Sequence, residues 1–186
     1  MTETRWSQTG EIRPSGEREF VTSLVLDPLA PVVEVGAGGC ACLTLVLAGQ
    51  GLRILAIDRD ADAVAYAQRV LAGARFPGMV TLVQADAAAL PLQSASIRTV
   101  VAYDALHHVE DLRGAVAEIA RVLHPRGRLI VSDWDEASNG FLGRLTQALR
   151  AHFHKVVVIP RDVRQVYLCE HPRRVAWRAG PWLHRK

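Results

Sequence analysis

Two glycines and one aspartate, spaced as in a nucleotide-binding site, are the residues of this chain that point most directly to a chemistry. Gly36 and Gly38 follow the apolar run 31–35. They allow the backbone to turn sharply and to approach a ligand where a Cβ would obstruct it. Asp58 ends a second apolar run, 22 positions after Gly36. Because an ionised carboxylate has two acceptor oxygens, it can bind both hydroxyls of a ribose. The spacing therefore predicts a nucleotide site.

The glycine turn by itself leaves two cofactors open. The pattern Gly36-x-Gly38-x-x-Ala41 satisfies the fingerprint for dinucleotides such as NAD. The pattern Glu34-x-Gly36-x-Gly38 resembles the start of the first motif of class I S-adenosyl-L-methionine-dependent methyltransferases. Both interpretations stay open for this stretch.

Polar side chains with acid–base or hydrogen-bonding chemistry follow two later strands of the sequence. They are Asp86 after the β-rich run 79–85, and Tyr103, Asp104, His107 and His108 at and after the run 97–103.

The elements that must position these residues follow from the apolar pattern. Strands are predicted at 31–36, 52–57, 79–85, 97–103, 128–132, 156–159 and 163–168, and helices at 15–28, 43–49, 61–71, 111–123 and 142–153. Alternating strands and helices imply a parallel sheet with helices on both faces. Three residues separate the last two strands, too few for a helical crossover, so these strands should pair antiparallel. The predicted fold is α/β, a single Rossmann-like doubly wound sheet that is mostly parallel, with a C-terminal antiparallel β-hairpin.

More specific motifs make the chain resemble class I S-adenosyl-L-methionine-dependent methyltransferases, in particular the group that includes the ubiquinone and menaquinone biosynthesis enzymes. The resemblance runs from about 31 to 133, and its motifs are 34–38, Asp58, 84–87 with 90–92, 105–111 and 118–131. It implies a methyltransferase that uses S-adenosyl-L-methionine on a small-molecule substrate. In two places the chain departs from the family pattern. Cys40 stands where the motif has a third glycine, and Arg126 stands within the usual Pro-Gly-Gly before the fifth strand.

The resemblance also assigns residues to parts of the cofactor. It places the amino-acid portion at the glycine turn, the ribose at the end of the second strand and the adenine after the third. The cofactor-binding residues so implied are Glu34, Gly36, Ala37, Gly38, Asp58, Arg59, Asp86, Ala87 and Tyr103.

For catalysis, a base of near-neutral pKa helps an acidic hydroxyl or carbon acceptor, and histidine supplies one most readily. His108 is the first candidate, followed by His107 and Asp104, because all three follow the fourth strand.

Two other functions stay open: an NAD-dependent oxidoreductase, and a non-catalytic cofactor-binding subunit with a macromolecular partner. Since only 1–30 and 133–140 could enclose a substrate, we expect a small or externally presented acceptor.

Length and composition limit the number of domains and the cellular location that we expect. The chain has 186 residues, 49% of them hydrophobic, which is enough for one buried core. No apolar run approaches the roughly 18–20 residues that cross a membrane, so we expect a cytoplasmic protein without membrane contact. We divide the chain into an N-terminal arm and helix at 1–30, a methyltransferase domain at 31–170 and a basic tail at 171–186.

The C-terminal tail and the cysteines indicate which macromolecular partners, disulfides or metals to expect. The segment 171–186 has five basic residues and no acidic one, so it could contact RNA or an acidic partner. The three cysteines Cys40, Cys42 and Cys169 are an odd number, which argues against a disulfide framework. The close pair Cys40 and Cys42 does not have the spacing of a zinc site, so no metal is expected. The sequence leaves the oligomeric state open.

Overall fold

The computed structural model describes residues 16–134, 140–161 and 164–173. The predicted arm at 1–15, most of the basic tail and part of the expected substrate cap lie outside these residues. The helices are α1 Gly16–Ser23, α2 Cys42–Gly49, α3 Ala61–Ala72, α4 Leu112–Val122 and α5 Phe141–His152, with a 3-10 turn at Leu106–His108. The strands are β1 Val32–Val35, β2 Ile54–Asp58, β3 Val80–Gln84, β4 Ile97–Tyr103, β5 Leu123–Trp134, β6 Phe153–Arg161 and β7 Arg164–Pro172.

The described strands form one sheet in the order β3-β2-β1-β4-β5-β7-β6. The strands β1 to β5 pair parallel to one another, whereas β7 runs antiparallel to both β5 and β6. The predicted α/β fold with a closing hairpin is thus confirmed. The chain turns back at the end of β6 because the link to β7 is too short to cross over the sheet.

Two apolar clusters cover the two faces of the sheet. Neighbouring residues of one strand alternate between them, as Val32 and Val33 do in β1. The helices α4 and α5 pack with Val33 on one face, and α1 and α2 pack with Val32 on the other. All four residues of β1 are buried, as expected for a strand covered on both sides.

Strand β5 begins earlier than the sequence predicts. It starts at Leu123, directly after α4. Residues 125–127, where the Pro-x-Gly sequence before the predicted strand at 128–132 is typical of a turn, form an irregularity within the observed strand. Ile97 of β4 pairs with Leu123 and Thr99 pairs with Arg128, so the register shifts there. A Cβ on Gly127 would lie 2.9 Å from the Ile97 carbonyl oxygen, which explains why a glycine stands in the bulge.

Other boundaries differ by a few residues. Helix α1 ends at Ser23 and not near residue 28, and β6 begins at Phe153 and not at 156. None of the helices within the described ranges is long and apolar enough to cross a membrane.

Candidate functional site

A cavity of about 510 Å³ opens at the carboxyl edge of the sheet, where β1, β2, β3 and β4 end. It lies at the switch point of the topology, since the chain proceeds from β1 outwards to β3 and then returns to β4 on the other side of β1. Ligands of open α/β sheets bind at this position. The cavity is lined by Val35, Gly36, Gly38, Ile57, Asp58, Arg59, Asp60, Ala63, Ala85, Asp86, Ala87, Asp104, Ala105, His108 and Val109.

The two glycines of the turn have different roles. Both have positive φ, +77° at Gly36 and +62° at Gly38, a conformation that favours glycine. A Cβ on Gly36 would overlap the side chain of Ala105 after β4, whereas a Cβ on Gly38 would meet nothing within 4 Å. Gly36 therefore lets two loops pack together, and Gly38 leaves open space beside the cavity.

Asp58 links the glycine turn to the end of β2. Its Oδ2 accepts a hydrogen bond from the Gly38 N–H at 2.8 Å, and its Oδ1 accepts one from the Asp60 N–H at 3.0 Å. Each carboxylate oxygen has a second lone pair, so the group can still accept hydrogen bonds from a ligand in the cavity. The structure brings Asp58 to the cavity as the spacing predicts.

The far side of the cavity is formed after β3. Asp86 accepts a hydrogen bond from the Ala88 N–H at 2.8 Å, which fixes its carboxylate in a turn beside Ala87. Arg59 lines the cavity as well and pairs with Glu110 at 3.0 Å, so this ion pair joins the loop after β2 to the segment before α4. Both of its side chains are more than half exposed.

Three predicted cofactor residues are not part of the cavity wall. Glu34 is buried and accepts a hydrogen bond from Thr44 Oγ1 at 2.6 Å, and burial raises its pKa to about 8. Ala37 lies within the turn, and its side chain is buried in the apolar cluster with α1 and α2. Tyr103 lies beside the guanidinium groups of Arg18 and Arg164, at 5.2 and 5.0 Å from its ring centre. Direct contact of these three residues with a cofactor stays a prediction.

The predicted catalytic residues divide into two groups. His108 and Asp104 line the cavity. Asp104 has a positive φ of +51° and forms a two-pronged ion pair with Arg164 of β7, with Nη2 2.9 Å from Oδ2. His107 does not line the cavity; its Nδ1 is 2.7 Å from Oδ1 of Asp133, a buried residue of β5.

Sequence reasoning missed two of these partners. Asp133 directly follows the predicted strand at 128–132, as Asp58 follows the predicted strand at 52–57, so its position at the sheet edge was a usable signal. Arg164 has no comparable signal, because its contact with Asp104 depends on where the hairpin joins the sheet.

The two neighbouring cysteines Cys40 and Cys42 interact with each other. A hydrogen bond from Cys42 lowers the pKa of Cys40 to about 6, and the same interaction raises the pKa of Cys42. In the described part of the chain, no group of three or more His, Cys, Asp or Glu side chains is placed to hold a metal ion.

The sheet order, the glycine turn and the carboxylates at the ends of β2 and β3 define a class I S-adenosyl-L-methionine-dependent methyltransferase fold. Residues 33–131 match the family model described as "Methyltransferase domain". The chain belongs to this family.

Three proteins illustrate the similarity. The ubiquinone/menaquinone biosynthesis C-methyltransferase UbiE of Methylobacterium nodulans is 30% identical over 88% of this chain and 62% of its own length. The O-methyltransferase resE of Aspergillus sclerotiorum is 31% identical over 55% of this chain and 39% of its own length. The crystal structure of geranyl diphosphate C-methyltransferase from Streptomyces coelicolor A3(2), solved with Mg²⁺, geranyl diphosphate and S-adenosyl-L-homocysteine, has a TM-score of 0.68 and 13% identity, covering 84% of this chain and 80% of that one. The chain spans 34% to 62% of the length of four curated relatives that it matches.

Proposed function

We propose that this chain binds S-adenosyl-L-methionine in the cavity at the carboxyl edge of the sheet and transfers its methyl group to a small-molecule acceptor. One observation supports this proposal above the others: the ends of four parallel strands bring Gly38, Asp58, Asp86 and His108 around one cavity of about 510 Å³. That volume is within the range of about 300–1,000 Å³ for small-molecule sites. Membership of the methyltransferase family supports the same activity.

The residues of the cavity fit the parts of this cofactor. The open space at Gly38 accommodates the amino-acid portion beside the turn. We assign Asp58 to the ribose hydroxyls and Asp86 to the adenine amino group, and the small Ala87 beside Asp86 would leave room for the flat ring. Glu34 is buried below the turn and accepts a hydrogen bond from Thr44, and we assign it to the amino-acid portion of the cofactor.

When bound, S-adenosyl-L-methionine supplies a methyl group that is already activated on a sulfonium. The chain then has to align the acceptor, exclude water and accept a proton where the acceptor carries one. Asp104 and His108 line the same cavity, and we assign them to the side of the acceptor.

Titration calorimetry with S-adenosyl-L-homocysteine tests the cofactor assignment. We expect saturable binding with one site per chain, and no comparable binding of NAD, which is the ligand of the oxidoreductase alternative. Tighter binding of NAD than of S-adenosyl-L-homocysteine would contradict the proposal.

Methyl release from labelled cofactor with a panel of small phenols, carbon acids and amines tests for an acceptor. Turnover of any of these compounds supports the enzyme, whereas cofactor binding with a stable co-purifying partner and no turnover favours the non-catalytic subunit.

A cytoplasmic location stays a prediction from the sequence. The basic tail as a contact for RNA or an acidic partner also stays a prediction, since 174–186 is outside the described residues.

A further inference from the structure

Asp133 is a fully buried carboxyl group with three hydrogen-bond partners, two of them backbone N–H donors. Its side chain is 0% exposed and is not part of the cavity wall. Oδ2 accepts from the Leu106 N–H at 3.1 Å and Oδ1 accepts from the Trp134 N–H at 2.9 Å. The third contact is the 2.7 Å separation between Oδ1 and His107 Nδ1. These contacts hold the segment after β4 against the end of β5.

The contact between Asp133 and His107 has two possible proton positions. Burial raises the pKa of Asp133, and the hydrogen bond from Trp134 and the charge and hydrogen bond of His107 oppose that effect. Both backbone donors address the carboxyl oxygens as acceptors, and an ionised carboxylate only accepts. The hydrogen bond from Trp134 and the charge and hydrogen bond of His107 stabilise the ionised carboxylate, and in that form the proton of the 2.7 Å contact is on Nδ1 of His107.

The remaining surroundings of His107 leave its other ring nitrogen available. The side chain is 9% exposed. Its ring centre is 3.9 Å from that of His108, 5.9 Å from Trp134 and 6.1 Å from Phe141. Across residues 16–134, 140–161 and 164–173, the structure gives Nε2 of His107 no hydrogen bond. The imidazole of His107 therefore lies next to two aromatic rings and to the histidine that lines the cavity.

We propose that Asp133 is a positioning residue for a general base at His107, which it holds with the proton on Nδ1 and the lone pair on Nε2. This inference rests on the proposed function and narrows the acceptor class to a compound that gives up a proton, namely a hydroxyl or an acidic C–H. A buried carboxylate that fixes the tautomer of a catalytic histidine is an established arrangement in other enzymes.

The step balances in atoms and charge. In this proposal the acceptor binds next to the cofactor cavity, against His107, and gives its proton to Nε2 of that residue. The electron pair of the acceptor forms the new bond to the methyl carbon. The S–C bond breaks with its electron pair on sulfur, which leaves a neutral thioether. The positive charge passes to the imidazole, and the imidazolium then returns the proton to water. Other charged or titratable groups near His107 are Asp133 from β5, His108 from its own turn, and Asp104, which is paired with Arg164 of β7.

Nitrogen NMR of the wild-type protein, with ¹⁵N-labelled histidine, tests the tautomer without any acceptor or cofactor. We expect His107 to be the Nδ1–H tautomer at neutral pH, with Nε2 showing the shift of an unprotonated nitrogen. A His107 ring with its proton on Nε2 would mean that Asp133 donates to Nδ1, and this result would overturn the proposal. The exposed His154 provides an internal reference.

Two substitutions separate a positioning role from a merely structural one. In Asp133→Asn an amide NH₂ must face one of the three donors, so we expect the His107 tautomer preference to be lost. Affinity for S-adenosyl-L-homocysteine should be unchanged, because Asp133 is not in the cavity wall. Transfer to a phenol acceptor should fall by about 10²-fold or more, as for loss of a general base. His107→Gln should cause a similar loss, and the double variant should be no slower than His107→Gln alone.

If the double variant lost activity by the product of the two single-variant factors, the proposal would be overturned, because the two residues would then act independently. His154→Gln is the matched control and should leave transfer unchanged. If the wild-type protein fails to bind S-adenosyl-L-homocysteine, the proposed function fails, while the NMR result still decides the tautomer of His107.

Discussion

The carboxylate of Asp58, at the end of β2, accepts a hydrogen bond from the backbone N–H of Gly38 at 2.8 Å. The two residues are 20 positions apart, and this bond holds the glycine turn against the neighbouring strand end. The carboxylate expected to bind a ribose thus also maintains the shape of the turn beside it.

Substitution of Asp58 should therefore weaken cofactor binding more than loss of a single ligand contact would. For Asp58→Asn we expect affinity for S-adenosyl-L-homocysteine to fall by roughly 10- to 100-fold, since hydrogen bonds to charged groups contribute about 1.5–3 kcal/mol. Titration calorimetry measures the change. Asp62→Asn, on the exposed first turn of α3, is the control, and an equal loss in both variants would argue against a specific role for Asp58.

Gly36 should tolerate no side chain. For Gly36→Ala, the positive φ and the overlap with Ala105 together predict a loss of unfolding free energy of about 1–3 kcal/mol. Urea denaturation provides the measurement. Gly143→Ala in α5, where a Cβ meets nothing within 4 Å, should be neutral or stabilising by about 0.5–1 kcal/mol. Equal stability of Gly36→Ala and the wild type would contradict the packing of the two loops.

Glu34 should make stability fall with rising pH. Its pKa is raised from 4.5 to about 8 by burial, so between these values the folded state binds a proton that the unfolded state has lost. The sign of the linkage then gives decreasing unfolding free energy from pH 4.5 to about 8, and a constant cost above it.

Glu34→Gln removes this titration while keeping an acceptor for Thr44. We expect the variant to gain stability relative to the wild type as the pH rises from 5 to 8.5, by up to a few kcal/mol. Urea titrations of both proteins at the two pH values test this, because the difference between them cancels other titrating groups. A difference that is independent of pH would show that Glu34 is ionised throughout.

The ion pair between Asp104 and Arg164 should matter more than the pair between Arg59 and Glu110. The first pair is two-pronged and its side chains are 31% and 22% exposed, whereas those of the second are 55% and 84% exposed. Arg164→Lys keeps the positive charge but loses the planar guanidinium that contacts both carboxylate oxygens of Asp104. We therefore expect a loss of about 1 kcal/mol in unfolding free energy. Glu110→Gln should leave stability unchanged, and the reverse order of effects in thermal denaturation would contradict the structure.

Much of the cavity was predictable because its residues are local to strand ends. Asp58, Asp86, Asp104 and His108 all line it, as expected for side chains at the carboxyl edge of a parallel sheet. Glu34, by contrast, lies in β1, whose residues are all buried. Its carboxyl group accepts a hydrogen bond from Thr44 of α2. The order of residues along the chain does not show which side chain of another element packs against a given strand residue.

The strand boundaries show a similar division. A proline and a glycine near 125–127 indicated a turn, and the structure has an irregular bulge that continues β5. Both arrangements satisfy the local preferences of Pro125 and Gly127. Pairing with β4 decides between them, and that pairing is set by the register of the whole sheet.

By itself the sequence determined the order of strands and helices, the closing hairpin and the polar residues at each strand end, because apolar periodicity and glycine conformation are local properties. The tertiary structure decided which of two adjacent histidines faces the cavity and which is turned to Asp133, 26 residues away. It also decided that β7 lies between β5 and β6, which brings Arg164 to Asp104 across 60 residues. Such contacts depend on packing between distant segments, and no local pattern in the chain specifies them.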